Sequence, residues 1–217
     1  MERLELMPIR MRITSDLRNA ILSGEFQPGQ EMNLSRIAES LNVSRTPVRE
    51  AFQALAQEGF IELRMNKGAI VTDIDEKFIR DHYEMRQLLE GEAAARVARL
   101  QPDISALMSL QKEAEAKAGE MEKDAYRAYN LKLHTGLWHL ADNSKLTLFL
   151  SELWNGPSMG KITDQAEHQR ISILEHRNIL NYIQDGDPDS ARHAMEAHVV
   201  KGMSNILTSR QAVSSGE

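Results

Sequence analysis

The 217-residue chain contains no cysteine. That excludes a disulfide framework, thiolate nucleophiles and thiolate metal sites, so any metal would have to be held by histidine, carboxylate or amide groups. No apolar run approaches the roughly 18 residues that would cross a bilayer, and the opening "MERLELMPIRMR" lacks the apolar block of a signal peptide. A cytoplasmic protein with no membrane partner is expected. Positive charge is not in excess either: the net charge is −6, and residues 1–72 carry nine Lys/Arg and nine Asp/Glu, so the whole imbalance falls on the remainder. Bulk charge therefore advertises no nucleic-acid partner, and one would have to be met by a local patch in the first third. What the chain does have is 41% hydrophobic residues, enough to bury a core in two domains, one small and one larger.

Residues 9–23, "IRMRITSDLRNAILS", set Ile13, Leu17, Ala20 and Ile21 on one face of a helix, with Arg10, Arg18 and Asn19 elsewhere. Gly24 stops it and Pro28-Gly29 turns the chain. A short second helix over 34–41 carries Leu34, Ile37, Ala38 and Leu41 inward until Asn42 breaks it. Ser44 then has the position of an N-cap, with Pro47 tolerated in the first turn of a third helix over 45–57, whose apolar face is Val48, Ala51, Phe52 and Leu55. Arg45 and Thr46 fall at its tip, with Arg49 one turn on. Two strand-like runs, "FIELR" and "AIVTD", follow, joined by "MNKG" with Gly68 as the turn residue.

Helix, short helix, turn, capped helix and hairpin is the order of a winged helix-turn-helix, whose third helix offers its N-terminal residues to base edges while neighbouring groups hold phosphates. Arg45 and Arg49 are expected on phosphate or guanine, Ser44 and Thr46 on phosphate, and Lys67, at the hairpin tip, in the adjacent minor groove. Any one of these arginines taken alone reads more readily as a solvated helix cation; it is the whole ordered string that resists that reading.

The segment "LNVSRTPVREAFQALAQEGFIEL", with the "PGQEMN" turn and "NKGAIV", resembles the N-terminal domain of GntR-family transcription regulators over residues 9–72. Many such proteins have an arginine at the start of the second helix; here the chain reads Asn33, Leu34 and Ser35, with Arg36 displaced by one. Ser35 and Arg36 are the substitutes for phosphate contact from that helix.

From Asp75 on, the periodicity is helical throughout: "FIRDHYEMRQLLEGEAAARVARL", "SALMSLQKEAEAKAGEMEKDAYRAYNLKLHTGLWHLA", "LTLFLSELW", "QRISILEHRNILNYIQ" and "PDSARHAMEAHVVKGMSNILTS". Six or seven helices predict an antiparallel bundle. His134 lies one turn after Asn130; His176 shares a face with Ile173, Ile179, Leu180 and Ile183; His198 shares one with Ala194, Met195 and Gly202. All three point inward, and facing helices that project imidazoles inward are how bundles build metal sites. The competing reading is three core histidines that are merely hydrogen-bonded. His82, His139, His168 and His193 are read that way.

The same stretch is similar to the all-helical effector domain of the FadR subfamily, the FCD type. That resemblance implies a divalent ion, zinc- or nickel-like, on His134, His176 and His198, with Asn130 where an aspartate is expected, and Arg86 facing an effector cavity. Arg86 also stands one turn before Glu90 and reads as an i,i+4 ion pair. The expected protein is mostly α: a winged helix-turn-helix with a small β-hairpin at 1–72, a linker at 73–77, an all-helical antiparallel effector and dimerisation bundle at 78–208, and a polar tail at 209–217. The resemblance implies a homodimeric regulator, a repressor in the commoner case, that binds a pseudo-palindromic double-stranded DNA operator and answers to a small metabolite such as an organic acid. Other readings are a metal-free sensor for an acyl ligand, a metal-dependent hydrolase, for which no acid shares the "NLKLH" turn as a general base, and a protein-only adaptor, which leaves Arg45 and Arg49 unexplained.

Overall fold

The computed structural model describes residues 8–65, 68–157 and 164–215. The N-terminal module runs α1 (Ile9–Leu22), β1 (Glu31–Met32), α2 (Leu34–Ser40), α3 (Arg45–Gln57), β2 (Ile61–Arg64) and β3 (Gly68–Val71). Its core is the meeting of two apolar stripes, Ile13, Leu17, Ile21 and Leu22 of α1 against Val48, Ala51, Phe52 and Leu55 of α3. Asn42 adopts the left-handed conformation, φ 53°, that ends α2. Leu41, expected inward, is exposed because the helix has already finished at Ser40. The sheet has a third member that the periodicity did not reveal: β1 pairs antiparallel with β3, Glu31 opposite Ile70 and Met32 opposite Ala69, giving the order β1-β3-β2. Two residues are too few to show an alternation.

Gly68 opens β3 rather than sitting in the turn. Its φ is +89°, and a Cβ there would lie 2.2 Å from the Met32 carbonyl oxygen, so glycine is required by the approach of β1.

The C-terminal bundle comprises α4 (Glu76–Leu100), α5 (Ser105–Glu115), α6 (Lys123–Leu140), α7 (Ser144–Leu153), α8 (Gln165–Gln184) and α9 (Pro188–Ser215). Asp75 caps α4 by accepting from the Phe78 N–H at 2.7 Å, so the helix starts inside the expected 73–77 linker. The long helical segment from Ser105 breaks in two around Gly119, whose φ of +85° no ordinary helix residue adopts. The expected tail is a correction of another kind: α9 continues to Ser215, Ser209 is buried, and Arg210 donates to the carbonyls of Ile21 (3.2 Å) and Ile74 (2.7 Å). Arg210, at least, is polar there because it hydrogen-bonds to the neighbouring domain. Among the described residues no helix is long and apolar enough to cross a membrane.

Arg18 corrects the sequence reading most sharply. Placed off the apolar face by periodicity, it is only 1% exposed and forks onto Glu58 at 2.7 and 2.8 Å, while its third nitrogen donates to the Trp154 carbonyl at the end of α7. A charge buried so completely persists only because each of its three nitrogens has an acceptor. Phe60 completes the junction, edge-on to Phe78 (4.9 Å) and His82 (5.9 Å) of α4. Arg18→Ala is expected to lower stability by about 2–3 kcal/mol in urea unfolding, the cost of leaving Glu58 and a buried carbonyl unpaired, discounted for the partial exposure of Glu58. A change below about 0.5 kcal/mol would show that water replaces the guanidinium without penalty.

Candidate metal centre and nucleic-acid interface

The tip of α3 is shaped by what stops α2. After the left-handed Asn42 the chain extends through Ser44, which occupies the N-cap of α3 in an extended conformation but makes no side-chain capping hydrogen bond, contrary to expectation. Its hydroxyl is on the exposed surface with Arg45, Thr46 and Arg49, while Pro47 is half-buried in the first turn. The structure thus brings Ser44, Arg45, Thr46 and Arg49 together at a helix N-terminus, where unpaired N–H groups and the helix dipole favour phosphate. Among the described residues, none of the three exposed cations Arg36, Arg45 and Arg49 is drawn into an ion pair. On α2, Asn33 is the N-cap and accepts from the Arg36 N–H at 3.1 Å, which explains its place in the sequence; Ser35 is half-buried beside it. Gly68 has the packing role given above. Lys67 lies outside the described residues.

The second site is built on four helices. His134 comes from α6, His176 from α8 and His198 from α9, and one nitrogen of each lies within 4.8 Å of the others. Each ring's other nitrogen is already engaged. His134 Nδ1 is 2.9 Å from Glu90 of α4, His198 Nδ1 is 2.8 Å from Glu175, and His176 Nδ1 is 2.9 Å from the Tyr129 hydroxyl. That hydroxyl donates to Gln111 at 2.6 Å, so it accepts from His176. Carboxylate and hydroxyl acceptors hold all three protons on Nδ1 and leave lone pairs on Nε2.

The Nε2 atoms of His176 and His198 are 3.2 Å apart. Two lone pairs at that distance repel unless a proton or a cation lies between them. The spacing matches the edge of a tetrahedron with metal–nitrogen bonds of about 2.0–2.1 Å. Asn130, one turn before His134, lines the same cavity and carries no charge. The donor set therefore suits a divalent ion of the zinc or nickel type, held by imidazoles that need no deprotonation.

Burial drives the electrostatics. His176 is pushed well below its ordinary value by burial and by its two neighbouring imidazoles, and His134 is lowered by burial despite the pull of Glu90. Burial would raise the Glu90 carboxyl, but His134, the Arg86 charge and the Trp138 indole N–H (2.8 Å) together hold it below its usual range and keep it ionised. Glu175 is kept low against its burial by His198 and Lys201, the latter at 2.8 Å.

Arg86 lines the cavity, as expected, and also forms the competing ion pair: it donates to Glu90 at 2.9 Å and to the Asn155 carboxamide, and it stacks 5.0 Å over Trp154. Its Nε alone has no hydrogen-bond partner. The arginine is thus positioned by protein groups, with one donor to spare. The cavity itself is about 140 Å³. Glu90 was read only as the ion-pair partner of Arg86, and Tyr129, Gln111 and Glu175 escaped the sequence reading, because each of the four supports a side chain on a different helix. A charged residue in the middle of the apolar "LLEGEAAA" was the one available signal for Glu90.

Two family matches divide the chain where the structure does. The family described as bacterial regulatory proteins, gntR family, matches residues 9–71, and the FCD domain matches residues 81–201. Among curated relatives, the Nta operon transcriptional regulator of Aminobacter aminovorans is 28% identical over 192 residues, covering 86% of this chain and 89% of that protein. A Paenarthrobacter nicotinovorans protein named a probable D-xylose utilization operon transcriptional repressor is 28% identical over 203 residues, covering 88% and 87%. The solved structure of E. coli McbR/YncC shares the fold with a TM-score of 0.71 at 20% identity, covering 93% of this chain and 98% of that one.

His82, packed between Phe60 and Tyr83, is also pushed well below its ordinary value, by burial and by Arg18 and Arg86. A histidine held neutral in the fold binds fewer protons than its unfolded counterpart below the ordinary value of 6.5. Stability of the metal-free protein is therefore full at higher pH and falls as pH drops through that value. The loss between pH 7.5 and 5.5, read by urea unfolding of chelator-treated protein, is expected to come mainly from His82 and His176, which are pushed furthest down, with a smaller share from His134. A flat profile across that window would mean that these rings take up protons in the fold as readily as in the unfolded chain.

Proposed function

This chain belongs to the GntR family of bacterial regulatory proteins and carries an FCD domain behind its winged helix, and we propose that it is a homodimeric repressor whose hold on a pseudo-palindromic operator is set by a small organic acid bound at a divalent metal ion. It is a DNA-binding transcriptional regulator, not an enzyme. The observation that carries the sensor reading is the convergence of three Nε2 lone pairs whose Nδ1 protons are all bound elsewhere. His134, His176 and His198 would hold the ion, with Asn130 a neutral and weaker fourth donor. The carboxylates behind His134 and His198 fix the orientation of those rings and bring negative charge one imidazole away, which offsets the missing anionic ligand. The ion would supply a positive charge and open coordination positions for a carboxylate, and Arg86 would offer its spare Nε–H. A cavity of about 140 Å³ is small beside the roughly 300–1,000 Å³ of pockets for drug-sized ligands, which favours a small acid over a long acyl chain.

The route to the DNA-binding module is short. Trp154 stacks on His134 at 4.8 Å and on Arg86, while its carbonyl accepts from Arg18 of α1. On α9, His198 and Arg210 share one helix, and Arg210 holds backbone carbonyls on both sides of the winged helix. A ligand that binds two placements of these elements with different affinity shifts operator binding by that difference and no more. The dimer reading draws on a face of α4 and α7 where Met85, Leu88, Leu148 and Phe149 are exposed, large and apolar, a surface that a second copy would cover.

Two measurements test this reading. Arg49→Ala is expected to weaken operator binding and to reduce the slope of log K against log salt by about 1, with the fold and metal content intact; unchanged binding would remove α3 from the interface. Elemental analysis is expected to find about one divalent ion per chain, lost on chelation with a fall in melting temperature and reduced in His176→Ala. Equal metal content in that variant, or none in the parent protein, would overturn the metal site.

A further inference from the structure

Arg18 is not alone among ionisable groups enclosed at the domain junction. His82 of α4 is buried and meets side chains of both modules. Phe60 of the DNA-binding module lies edge-on to it at 5.9 Å and carries the Arg18 guanidinium over its own face at 5.8 Å. From the bundle, Tyr83 is edge-on at 5.6 Å, Arg86 stands one turn along α4, and the Leu153 carbonyl at the end of α7 accepts from the ring. The next carbonyl, that of Trp154, is the one Arg18 holds, so the end of α7 is gripped from α1 and α4 together. The carboxylates nearby are committed elsewhere: Glu58 takes Arg18, Glu90 takes Arg86 and His134, and Glu152, beside Leu153, is exposed. Among the described residues no acid pairs with His82.

Protonation of this ring in place would set a third positive charge beside Arg18 and Arg86, with no anion and no water to offset it. The ring reaches water only if Phe60 and α1 withdraw from α4. We propose that His82 is an acid-sensitive latch: the winged helix stays docked on the bundle while the ring is neutral, and proton uptake by the ring draws the junction open. In the docked state burial and the two arginines hold the ring neutral well below its ordinary value, whereas an exposed ring titrates near 6.5. The docked state is therefore fully favoured above that value and loses ground as pH falls through it. The ratio of open to docked molecules rises about 10-fold between pH 7.5 and 5.5 if only the open form takes the proton. Asp16, which pairs with Arg127 of α6 across the same boundary at 3.2 Å, has the opposite sign: burial raises its carboxyl, so acid favours its docked form. Opening driven by acid thus points to His82 and not to that ion pair. A module released from the bundle loses the placement that the bundle imposes, and operator affinity falls with the docked fraction. The latch requires neither metal nor effector, so it stands apart from the sensor reading.

A chain without cysteine lends itself to thiol trapping. Ser15→Cys serves as the junction reporter, since Ser15 of α1 is buried in a cleft it shares with Trp154. Ala94→Cys, in the buried middle of α4, reports global unfolding, and Gln53→Cys, on the exposed side of α3, is the reference for the reagent. Full-length protein is treated with a dipyridyl disulfide at about pH 7.5, 6.5 and 5.5, and each rate is divided by that of Gln53→Cys at the same pH, because the thiolate is the reacting form. Ser15→Cys is expected to react more slowly than Gln53→Cys and faster than Ala94→Cys, and its relative rate to rise about 10-fold from pH 7.5 to 5.5. Combined with His82→Gln or His82→Phe, the rise is expected to shrink to within about 2-fold. Two replacements of different chemistry keep the comparison should one fail to fold. A flat profile with His82 present would overturn the latch, and so would an equal rise in both His82 variants, which would assign the proton to another group. If Ser15→Cys reacts no faster than Ala94→Cys, the junction opens only when the whole chain unfolds, and the latch is likewise overturned.

Discussion

A carboxylate cut off from water organises the C-terminal bundle. Glu90, in the middle of α4, is fully buried and is gathered by the Arg86 guanidinium, the His134 ring and the Trp138 indole, one donor from its own helix and two from α6. An unpaired charge there would cost several kcal/mol, so these contacts form together or not at all. Their consequences run in two directions. Toward the histidine cluster, Glu90 fixes the Nδ1 tautomer of His134 and so turns its other nitrogen inward. Toward the DNA-binding module, it fixes Arg86, which holds Asn155; Asn155 donates to Tyr83 at 2.7 Å and follows the residue whose carbonyl Arg18 grips.

The same logic appears at the domain junction. Arg18 and Arg210 are cations whose donors are spent on acceptors across the boundary, Arg18 on Glu58 and Trp154, Arg210 on the backbone of Ile21 and Ile74. Contacts of this kind are directional, in contrast to apolar packing, which tolerates sliding. They give the junction defined placements and make it responsive to small displacements of α9 or of the chain after α7. The cations left over at the tip of α3 are the ones available to phosphate, and this division explains how a chain of negative net charge can present a local positive face.

The proposed sensor differs from an all-anionic metal site in where its negative charge resides. Asn130 brings none to the ion, whereas Glu90 and Glu175 stand one imidazole away. Charge at that remove strengthens the histidines as donors yet leaves the ion more positive toward an incoming ligand, which suits a site whose purpose is to take up an acid.

Much of this was legible along the chain. Periodicity, caps and turn residues determined by themselves the helical character, the order of elements in the winged helix, the exposed placement of Ser44, Arg45, Thr46 and Arg49, and the inward faces of His134, His176 and His198, because each is a property of neighbours within one or two helical turns. The tertiary structure alone decided the rest. It buried Arg18 against Glu58 and Trp154, extended α9 through an apparently polar tail, added β1 to the sheet against Gly68, and joined each histidine to an acceptor on another part of the fold. Local spacing carries no information about those pairings, since a buried polar group is stabilised by whatever acceptor the packing of other helices brings within about 3 Å of it.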